Sequence, residues 1–599
     1  MKKIILMTLA AMAGASTLVG CSDFLEAENK SAGGQTADDY FSTAEGLEYY
    51  RIYAYSLFKP LVNGTYIDMF DDGTDIYWPS RNEGLNFFLL NQTTGEDATV
   101  KSFYSACYSL INACNGLIQY GGTTYESEAK FLRTYAYYLL TQQIGSVPYV
   151  TTYINNASRD YPRTPLAEVY AGMLQDLKDV VADEAIPATS KHDGTVNKQA
   201  ANALAARVAL AAGWDLNDNA YFSKAAEYAE AALSGVELYS TFAQKWSADN
   251  DETNQEEFFS LEYDRTSWSA VGSVDAGGHS LQNQYGSYYD DPAKRGTKKS
   301  GSQRVCSKKT LYLFEASDER YATTFAITHL NWDGSNWPTS GYYAKYNAAN
   351  PDQLPIAYYY APAYTSEDDF NAFLEANKSR FVKGNNLVTP YAYLLGNPVK
   401  KVDFNADGSV KSTTSYNYGD GDGILMQVNG LDCVAKWDDP QTTQLNATTL
   451  DYRDIVLLHA TETMLTAAEA YLKSGNESKA LEYVNKVRDR AKASHLASFD
   501  AYKPDYVVND SYEVNLEPLD VILDERAREL YAEPGRWMDL RRTKKLESYA
   551  NTFLYNDNDN LSQVIAHEQI KTLRPIPVDE INSNNAISAE DQNPDYKTN

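Results

Sequence analysis

The stretch that decides the fold lies near the carboxyl end and reads Asp524-Glu-Arg-Ala-Arg-Glu-Leu-Tyr-Ala-Glu-Pro-Gly-Arg-Trp-Met-Asp-Leu-Arg-Arg-Thr543. Arginines and carboxylates alternate along it, and Glu525 stands one helical turn before Arg528, so the two can pair on one predicted helix. We predict that Pro534-Gly535 ends this helix, because proline lacks an amide donor and glycine tolerates a left-handed backbone. A second short helix then carries Trp537 inward. Buried charges must be paired to persist, so the stretch predicts an ionic network that ties the chain end to a core.

The same stretch resembles the E-R-x-R-E-L…G-x-R-W-x-D-L-R-R block of the SusD/RagB family of outer-membrane nutrient-binding lipoproteins. Further segments similar to that family recur along most of the chain, at Glu128–Leu140, Thr463–Tyr471, Val484–Ala491, Leu573–Ile581 and Asp591–Pro594. The resemblance implies a mainly α-helical, tetratricopeptide-like body with a loop-rich face. Within the family the block itself is a scaffold element, so it marks the fold and supplies no ligand-binding residues.

Composition bounds the function. Of the 599 residues, 52 are Lys or Arg and 81 are Asp or Glu, which gives a formal net charge of −29. This charge argues against nucleic acid and anionic phosphate surfaces as partners, since both need a basic footprint. The chain also holds 48 tyrosines, 8 tryptophans and 20 phenylalanines. Exposed binding surfaces use aromatic rings with polar tips, although a core built with tyrosine in place of leucine would give the same count.

The amino terminus has the pattern of a bacterial lipoprotein signal. Residues 1–20 begin with Met1-Lys2-Lys3, continue through a short apolar stretch and end in Leu18-Val19-Gly20, just before Cys21. We therefore predict a signal peptide over 1–20 and lipidation of Cys21. Several acyl chains on this residue, at about 0.8 kcal/mol per buried methylene, would anchor the protein stably. A plain secretory signal cut elsewhere is the alternative. Residues 21–599 are predicted to form a single domain.

A helical scaffold is predicted over about 36–260 and 450–599. Apolar periodicity indicates helices at 36–60, 99–120 and through Glu128–Leu140. Thr164 is predicted to cap the next helix at its amino end. The buried face of that helix is predicted to consist of Val169, Met173, Leu177 and Val180.

Two later helix pairs have the length of a tetratricopeptide-type hairpin. The first joins Ala200–Ala212 to Ser223–Leu233, and its many alanines allow the helices to approach closely. The second joins Ile455–Lys473 to Glu477–Lys492. Each pair spans roughly the 34 residues of such a repeat. The sequence therefore predicts stacked helical hairpins.

Residues 260–450 differ in character from both flanks. Gly, Asn, Asp, Ser and Tyr dominate, and no long helical period is present. We predict long loops with short strands and occasional short helices, inserted into one helical body. Because binding residues concentrate on long loops carried by a rigid scaffold, this segment is the predicted ligand-binding insertion.

Signatures of catalysis are weak, and no catalytic residue is predicted. The six histidines are scattered, and His567-Glu568 lacks the second histidine of a zinc-protease helix. The sequence contains neither a G-x-S-x-G elbow nor a phosphate-binding P-loop. Carboxylates are abundant, so a surface glycoside hydrolase remains an alternative.

One segment has a partial calcium-loop pattern. Asp403, Asn405 and Asp407 supply oxygens at the first three odd positions, but Thr414 stands where the bidentate glutamate belongs. A hairpin turn at Asp407-Gly408 explains the same residues. The turn is the favoured interpretation, and a structural Ca²⁺ is the alternative. No other cofactor is predicted.

The positive functional signal is aromatic. A sugar ring has an apolar C–H face and a hydroxyl rim, so it suits an aromatic platform flanked by Asn, Asp and Arg. Packing within loops is the alternative for each single residue. The predicted ligand-binding residues are Asp72, Trp78, Arg81, Asn82, Trp268, Tyr288, Tyr289, Trp332, Trp337, Tyr359 and Tyr364.

The resemblance implies how such a protein works. Members of the family are lipid-anchored in the outer membrane and act as the lid of a SusC-like TonB-dependent transporter, to which they deliver an oligosaccharide without catalysis. We therefore expect an oligosaccharide ligand, a SusC-like partner, the outer membrane as location and no nucleic acid. A lid for peptides or another nutrient is the main alternative, and a purely scaffolding helical repeat is a further one.

Overall fold

The computed structural model describes residues 37–79, 87–90, 92–264, 278–285, 304–330, 356–359, 361–380, 387–388, 399–405, 409–416, 434–437, 439, 451–508, 512, 514–555 and 570–597. Cys21 and the predicted signal peptide lie outside the described residues, so lipidation stays a prediction. Within the described ranges, every helix is too short or too polar to cross a membrane.

Helices dominate the part of the chain before residue 260. They are α1 Ala37–Phe41, α2 Ala44–Phe58, α3 Ile67–Asp71, α4 Ala98–Gly121, α5 Glu126–Ile144, α6 Leu166–Ala182, α7 Lys198–Asp215, α8 Asn219–Leu233 and α9 Phe242–Lys245. Short 3-10 turns occur at Lys59–Val62, Gly64–Tyr66, Gly122–Thr124 and Ala248–Thr253.

The remaining helices are shorter in the middle of the chain and longer again after residue 455. They are α10 Leu281–Tyr285, α11 Lys308–Leu311, α12 Arg320–Thr324, α13 Glu367–Asn377, α14 Ala460–Lys473, α15 Glu477–Arg490, α16 Asp505–Val508, α17 Pro518–Glu529, α18 Arg536–Arg542, α19 Leu546–Tyr549 and α20 Val578–Ser583. A π turn spans Ala550–Tyr555, and 3-10 turns occur at Phe499–Ala501, Ala589–Asp591 and Pro594–Tyr596.

The strands are short, and some of them pair across long stretches of sequence. They are β1 Tyr77–Pro79, β2 Glu257–Leu261, β3 Arg304–Cys306, β4 Thr328–Leu330, β5 Ile356–Tyr359, β6 Leu387–Val388, β7 Val399–Phe404, β8 Val410–Tyr416 and β9 Ile455–His459. The described strands form the antiparallel pairs β1–β3, β2–β9 and β4–β5 and the three-stranded sheet β6–β7–β8.

The long helices stack side by side in chain order. Helix α4 packs on α5, α5 on α6, α6 on α7 and α7 on α8, and α14 continues the stack against α8 and α15. Helices α7 and α8 approach closely at Gly213, where a Cβ atom would lie 2.7 Å from the Phe222 ring. This succession of helical hairpins confirms the predicted mainly α-helical, tetratricopeptide-like body.

The structure confirms one part of the prediction for helix α6 and contradicts another. Its predicted face is confirmed, since Val169, Met173, Leu177 and Val180 are all fully buried. The predicted cap is wrong, because the helix begins after Pro165 and no side chain caps it. The hydroxyl of Thr164 instead accepts a hydrogen bond from the Tyr149 amide at 3.1 Å.

Two element boundaries near the carboxyl end also differ from the prediction. Residues Ile455–His459 form β9, because they pair with β2. Helix α17 ends at Glu529, well before Pro534, and the following turn places Ala532 at φ 64°. Tyr77 fixes this turn by accepting the Ala532 amide at 2.9 Å. Trp537 in α18 is fully buried, as predicted.

The predicted ionic network lies at the centre of the molecule. Glu525 accepts hydrogen bonds from Arg320 at 2.7 Å and from Arg488 at 3.0 Å. Glu529 pairs with Arg490 and Arg320. All five side chains are buried. Arg320 belongs to the predicted insertion, so this network joins the insertion to the helical body.

Acid should weaken this core. Burial alone would raise the pKa of Glu529 and Glu462, but Arg490 and Arg207 respectively lower both values to about 2. Each carboxylate therefore stabilises the fold above the unfolded-state pKa of 4.5, and that contribution is lost as pH falls toward 2. We expect the free energy of unfolding to drop by about 2 kcal/mol per carboxyl between pH 6 and pH 3. Urea unfolding at the two pH values measures this, and equal stabilities would contradict it.

Candidate functional site

Trp78 and Asp72 lie inside the protein and cannot touch a ligand directly. Trp78 is 1% exposed, and its indole N–H donates to the Phe553 carbonyl at 3.1 Å. Asp72 is also 1% exposed and accepts a hydrogen bond from Arg304 at 2.8 Å. The prediction that these two residues contact the ligand is therefore wrong. Both belong to the buried scaffold that precedes residues 80–86.

The two tyrosines of the list that the structure describes differ in exposure. Tyr359 is buried, and its ring stacks on Phe373 with centroids 3.7 Å apart, so the prediction of a ligand contact is wrong for this residue as well. Tyr364 is half-buried and meets Tyr321 edge to face at 5.8 Å. Tyr364 therefore remains a candidate.

The other predicted contacts lie outside the described residues. They are Arg81, Asn82, Trp268, Tyr288, Tyr289, Trp332 and Trp337. The described residues that flank them nevertheless fix where the chain leaves the scaffold.

Strands β1 and β3 bring two of these segments together. In the antiparallel register Pro79 lies opposite Arg304, so residue 80 follows and residue 303 precedes at the same end of the pair. Residues 80–86 carry Arg81 and Asn82, and residues 286–303 carry Tyr288 and Tyr289. The described residues Pro79 and Arg304, which flank two segments far apart in sequence, therefore lie opposite each other.

An acidic and aromatic cluster anchors this end of the β1–β3 pair. Arg304 donates to Asp72 and Asp68 and also to the Gln284 carbonyl at 3.1 Å. The Tyr285 hydroxyl donates to Asp71, whose other oxygen accepts the Gly535 amide at 3.0 Å. Residues that flank both segments are thus tied to the stretch Asp68–Asp72 and to the loop before α18. We call Asp68, Asp71, Asp72, Tyr285 and Arg304 the anchor cluster.

Burial sets the charges of the anchor cluster. Burial alone would lower the pKa of Arg304, but the carboxylates of Asp72 and Asp68 hold it well above its usual value. Burial raises the pKa of Asp72 to about 7 even though Arg304 favours the carboxylate. Arg304 is therefore the positive charge on which the ionised form of this buried aspartate depends.

Strands β4 and β5 likewise hold the described residues on both sides of a segment that carries predicted contacts. Leu330 lies opposite Ile356, so the segment 331–355, which carries Trp332 and Trp337, leaves and re-enters at one end of this pair. Phe325 stands just before β4. Phe325 connects the β4–β5 pair to the anchor cluster through a continuous series of ring contacts with centroids 4.9–5.9 Å apart. The rings in order are Tyr285, Tyr77, Tyr531, Phe325, Tyr321 and Tyr364.

Sequence reasoning missed Arg304, which organises the anchor cluster. Its signal was weak, a single arginine in the Ser- and Gly-rich run Ser300-Gly-Ser-Gln-Arg304. Asp72 is predicted as a ligand contact, whereas the structure pairs it with a buried counter-ion, Arg304. A separation of 232 residues between Asp72 and Arg304 hides the pair from any local pattern.

Strands β7 and β8 pair antiparallel on the two sides of the partial calcium loop. Phe404 lies opposite Val410, and the Asn405 amide donates to the Ser409 carbonyl at 2.8 Å. The Asn405 side chain donates to the Ser409 hydroxyl at 3.1 Å. The hairpin turn predicted at Asp407-Gly408 lies within residues 406–408, outside the described residues, and stays a prediction. Asp407 lies outside the described residues, so the calcium alternative at Asp403, Asn405 and Asp407 remains untested.

Comparison with known proteins identifies relatives over most of the chain. Residues 242–596 match the model of the SusD family, and residues 23–210 match a model described as starch-binding associating with outer membrane. A protein of Formosa agariphila, SusD-like protein P2, is 23% identical over 560 residues, which cover 88% of each chain.

Solved structures show the same fold. A SusD homolog from Bacteroides thetaiotaomicron superposes with a TM-score of 0.64 at 17% identity, covering 93% of this chain and 98% of its own. Surface glycan-binding protein A from the same organism, in complex with laminarihexaose, gives 0.58 at 18% identity, covering 91% and 98%. From the matched family model, the shared fold and the carboxyl-terminal block, the chain belongs to the SusD family.

Proposed function

We propose that this protein binds an oligosaccharide, without catalysis, on the face where the loop segments leave the anchor cluster and the β4–β5 pair. The observation that supports this most is the register of β1 and β3, which places Pro79, just before residues 80–86, opposite Arg304, just after residues 286–303. Together these segments carry an arginine, an asparagine and two tyrosines among the predicted contacts. A guanidinium, an amide and aromatic rings are the groups that suit the hydroxyl rim and the apolar face of a sugar.

Relatives support a glycan as the ligand class. One similar structure is a laminarin binding SusD-like protein, and another holds laminarihexaose. Binding of this kind needs no reacting group. We therefore assign the protein the role of capture, without hydrolysis.

The proposal includes delivery of the bound oligosaccharide to an outer-membrane transporter. A family model described as associating with the outer membrane matches residues 23–210, immediately after Cys21. Acyl chains on Cys21 would hold the body at that membrane. From there it would act as the lid of a SusC-like TonB-dependent transporter, opening to capture the oligosaccharide and closing to release it into the barrel.

Tryptophan substitutions test the binding face. We expect at least one of Trp268→Ala, Trp332→Ala and Trp337→Ala to weaken oligosaccharide binding about tenfold, which corresponds to about 1.4 kcal/mol of lost stacking. Isothermal titration against a panel of laminarin, starch and other plant and algal oligosaccharides measures it. Tyr49→Ala, which removes a ring that is 55% exposed on α2, serves as the matched control and should bind normally.

Other outcomes would overturn this function. Binding of peptides together with no response to any oligosaccharide would favour a peptide lid. Release of reducing sugar from a polysaccharide by the purified protein would make it a hydrolase. Wild-type affinity in all three tryptophan variants would exclude these rings as the platform.

A further inference from the structure

The first long helix of the body exposes a stripe of large apolar side chains. Among the described residues, five large hydrophobic side chains are well exposed, and four of them lie on α1 and α2. Tyr49, Ile52 and Tyr53 on α2 are 55%, 52% and 50% exposed. Their spacing of three and four residues places them on one side of the helix. We call Tyr49, Ile52 and Tyr53 the α2 stripe.

The α2 stripe carries no charge. Ser56 continues the exposed side of the helix one turn further. Arg51, the charged residue between Tyr49 and Ser56, is half-buried and pairs with Glu128 at 2.9 Å and with Glu48 at 3.1 Å. A surface of phenol rings and one isoleucine, beside charges that are already paired, favours a partner that is itself uncharged and partly apolar.

Buried rings hold the α2 stripe in place. The Tyr53 ring stacks on the Tyr50 ring with centroids 6.1 Å apart and planes 13° apart, and Tyr50 stacks on Phe41 at 4.4 Å. The Tyr50 hydroxyl reaches α4 at Gly116, where a Cβ atom would lie 2.2 Å from it. The stripe is therefore preorganised, so a contact with it costs little conformational entropy.

The α2 stripe lies at an open end of the helical stack. Helix α2 packs on α4 and α5, so it lies at the other end of the stack from α14 and α15. The exposure of the three side chains shows that no described element covers them. The terminal helices of a stacked array need a polar outer face, because no further repeat buries it. An uncharged, ring-bearing face at this position therefore calls for a contact outside the helical body.

We propose that the α2 stripe docks on the lipid surface of the membrane that holds Cys21, an inference that rests on the acylation of Cys21 included in the proposed function. The stretch from Cys21 to Ala37, the first residue of α1, spans at most about 55 Å even when fully extended, at about 3.4 Å per residue. Helix α2 begins soon afterwards, at Ala44. Acyl chains on Cys21 would therefore keep the stripe close to the bilayer.

The chemistry and the size of the α2 stripe favour lipid over a protein partner. Tyrosine concentrates at the boundary between headgroups and acyl chains, where its ring is buried and its hydroxyl stays hydrated. Three half-exposed side chains offer roughly 300 Å², since a fully buried aromatic side chain contributes about 150–250 Å². A stable protein interface needs about 800 Å² per partner. A tethered surface needs far less, because the anchor holds it at a high effective concentration beside the bilayer.

A fluorescent reporter on the exposed side of α2 tests this contact. Residues 22–599 with an amino-terminal histidine tag are held on phosphatidylcholine vesicles by a nickel-chelating lipid, so the test does not depend on acylation. The dye NBD on Ser56→Cys, in a Cys433→Ser background, reports on α2, and NBD on Glu227→Cys reports on α8. The other described cysteines are buried. We expect blue-shifted emission that spin-labelled lipids quench from the first reporter, and unquenched, water-like emission from the second.

Removal of the α2 stripe should release the helix from the vesicle. We expect the combined substitutions Tyr49→Ser, Ile52→Ser and Tyr53→Ser to lower the ratio of docked to undocked protein at least about tenfold. Ile52→Ser alone should lower it as well, so a folding defect of the triple variant does not leave the test open. Val410→Ser removes a side chain that is 53% exposed on β8 and is the matched control, which should dock as the wild type does. Raising NaCl from about 0.05 to 0.5 M should leave the quenching unchanged, because the stripe is uncharged.

Several results would overturn the proposal. They are an unquenched wild-type reporter on α2, normal docking of the folded triple variant, and release of the reporter by salt. A blue shift that appears without vesicles as the protein concentration rises would assign the α2 stripe to a second copy of the chain instead. Mass spectrometry of the mature amino-terminal peptide tests the acylation of Cys21 separately. Normal oligosaccharide binding together with an unquenched reporter would reject this inference and leave the proposed capture function standing.

Discussion

Glu525→Gln is expected to lower the free energy of unfolding by about 3–5 kcal/mol, the usual cost of breaking a buried ion pair on one side. Glu525 is 0% exposed and accepts hydrogen bonds from Arg320, Arg488 and Arg528. Glutamine keeps the size of the side chain but removes a negative charge that pairs with three buried guanidinium groups. The loss should therefore exceed that of the hydrogen bonds alone.

The measurement is urea unfolding followed by tryptophan fluorescence at neutral pH. Glu547→Gln provides the control, because Glu547 is exposed on α19 and its loss should change stability by no more than about 0.5 kcal/mol. A loss below about 1 kcal/mol for Glu525→Gln would show that solvent or rearrangement compensates the guanidinium groups. Failure of the variant to fold agrees with the expectation, provided that Glu547→Gln folds.

Arg304→Met should have an effect of similar size on stability and a second effect on ligand binding. Removing the guanidinium leaves the buried Asp72 carboxylate without its ion pair, at a cost of about 3–5 kcal/mol. The substitution also removes the Arg304 side-chain contacts that tie β3 to the Gln284 carbonyl and to Asp72. These contacts hold the described residues that flank residues 286–303. We therefore expect oligosaccharide affinity to fall as well, at temperatures where the variant is still folded.

Arg159→Met separates these effects from a general loss of charge. Arg159 is exposed, and its replacement should leave both stability and affinity unchanged. Titration of each variant with an oligosaccharide that binds the wild type gives the affinity, and urea unfolding gives the stability. A destabilised Arg304→Met that binds with wild-type affinity would show that the anchor cluster supports the fold only and does not position the ligand face.

Features of the fold that depend on local pattern were predictable. The buried face of α6 follows from residues spaced one helical turn apart, and each of its predicted members is fully buried. The carboxyl-terminal ionic block was recognisable because one of its pairs, Glu525 and Arg528, lies on a single helix. The inward position of Trp537 followed from the same block.

Features that depend on distant partners were not predictable. Ile455–His459 is apolar enough for either a helix or a strand, and its pairing with β2, about two hundred residues earlier, decides for the strand. Trp78 stands among Asp, Tyr and Arg as a binding tryptophan would, but β3 and Phe553 enclose it. Candidate contacts can be proposed from composition, whereas their exposure is decided by parts of the chain that composition does not connect.

The ion pairs that cross from the insertion into the helical body limit how this protein can be re-engineered. Arg320 neutralises Glu525, Lys309 contacts Asp75 at 2.7 Å, and Lys436 contacts Glu533 at 2.6 Å. A chimaera that received the loop face of another relative would keep the body's acids and lose these counter-ions. Successful grafts should therefore transplant the variable loops beyond the short strands and leave the three basic residues of the recipient in place.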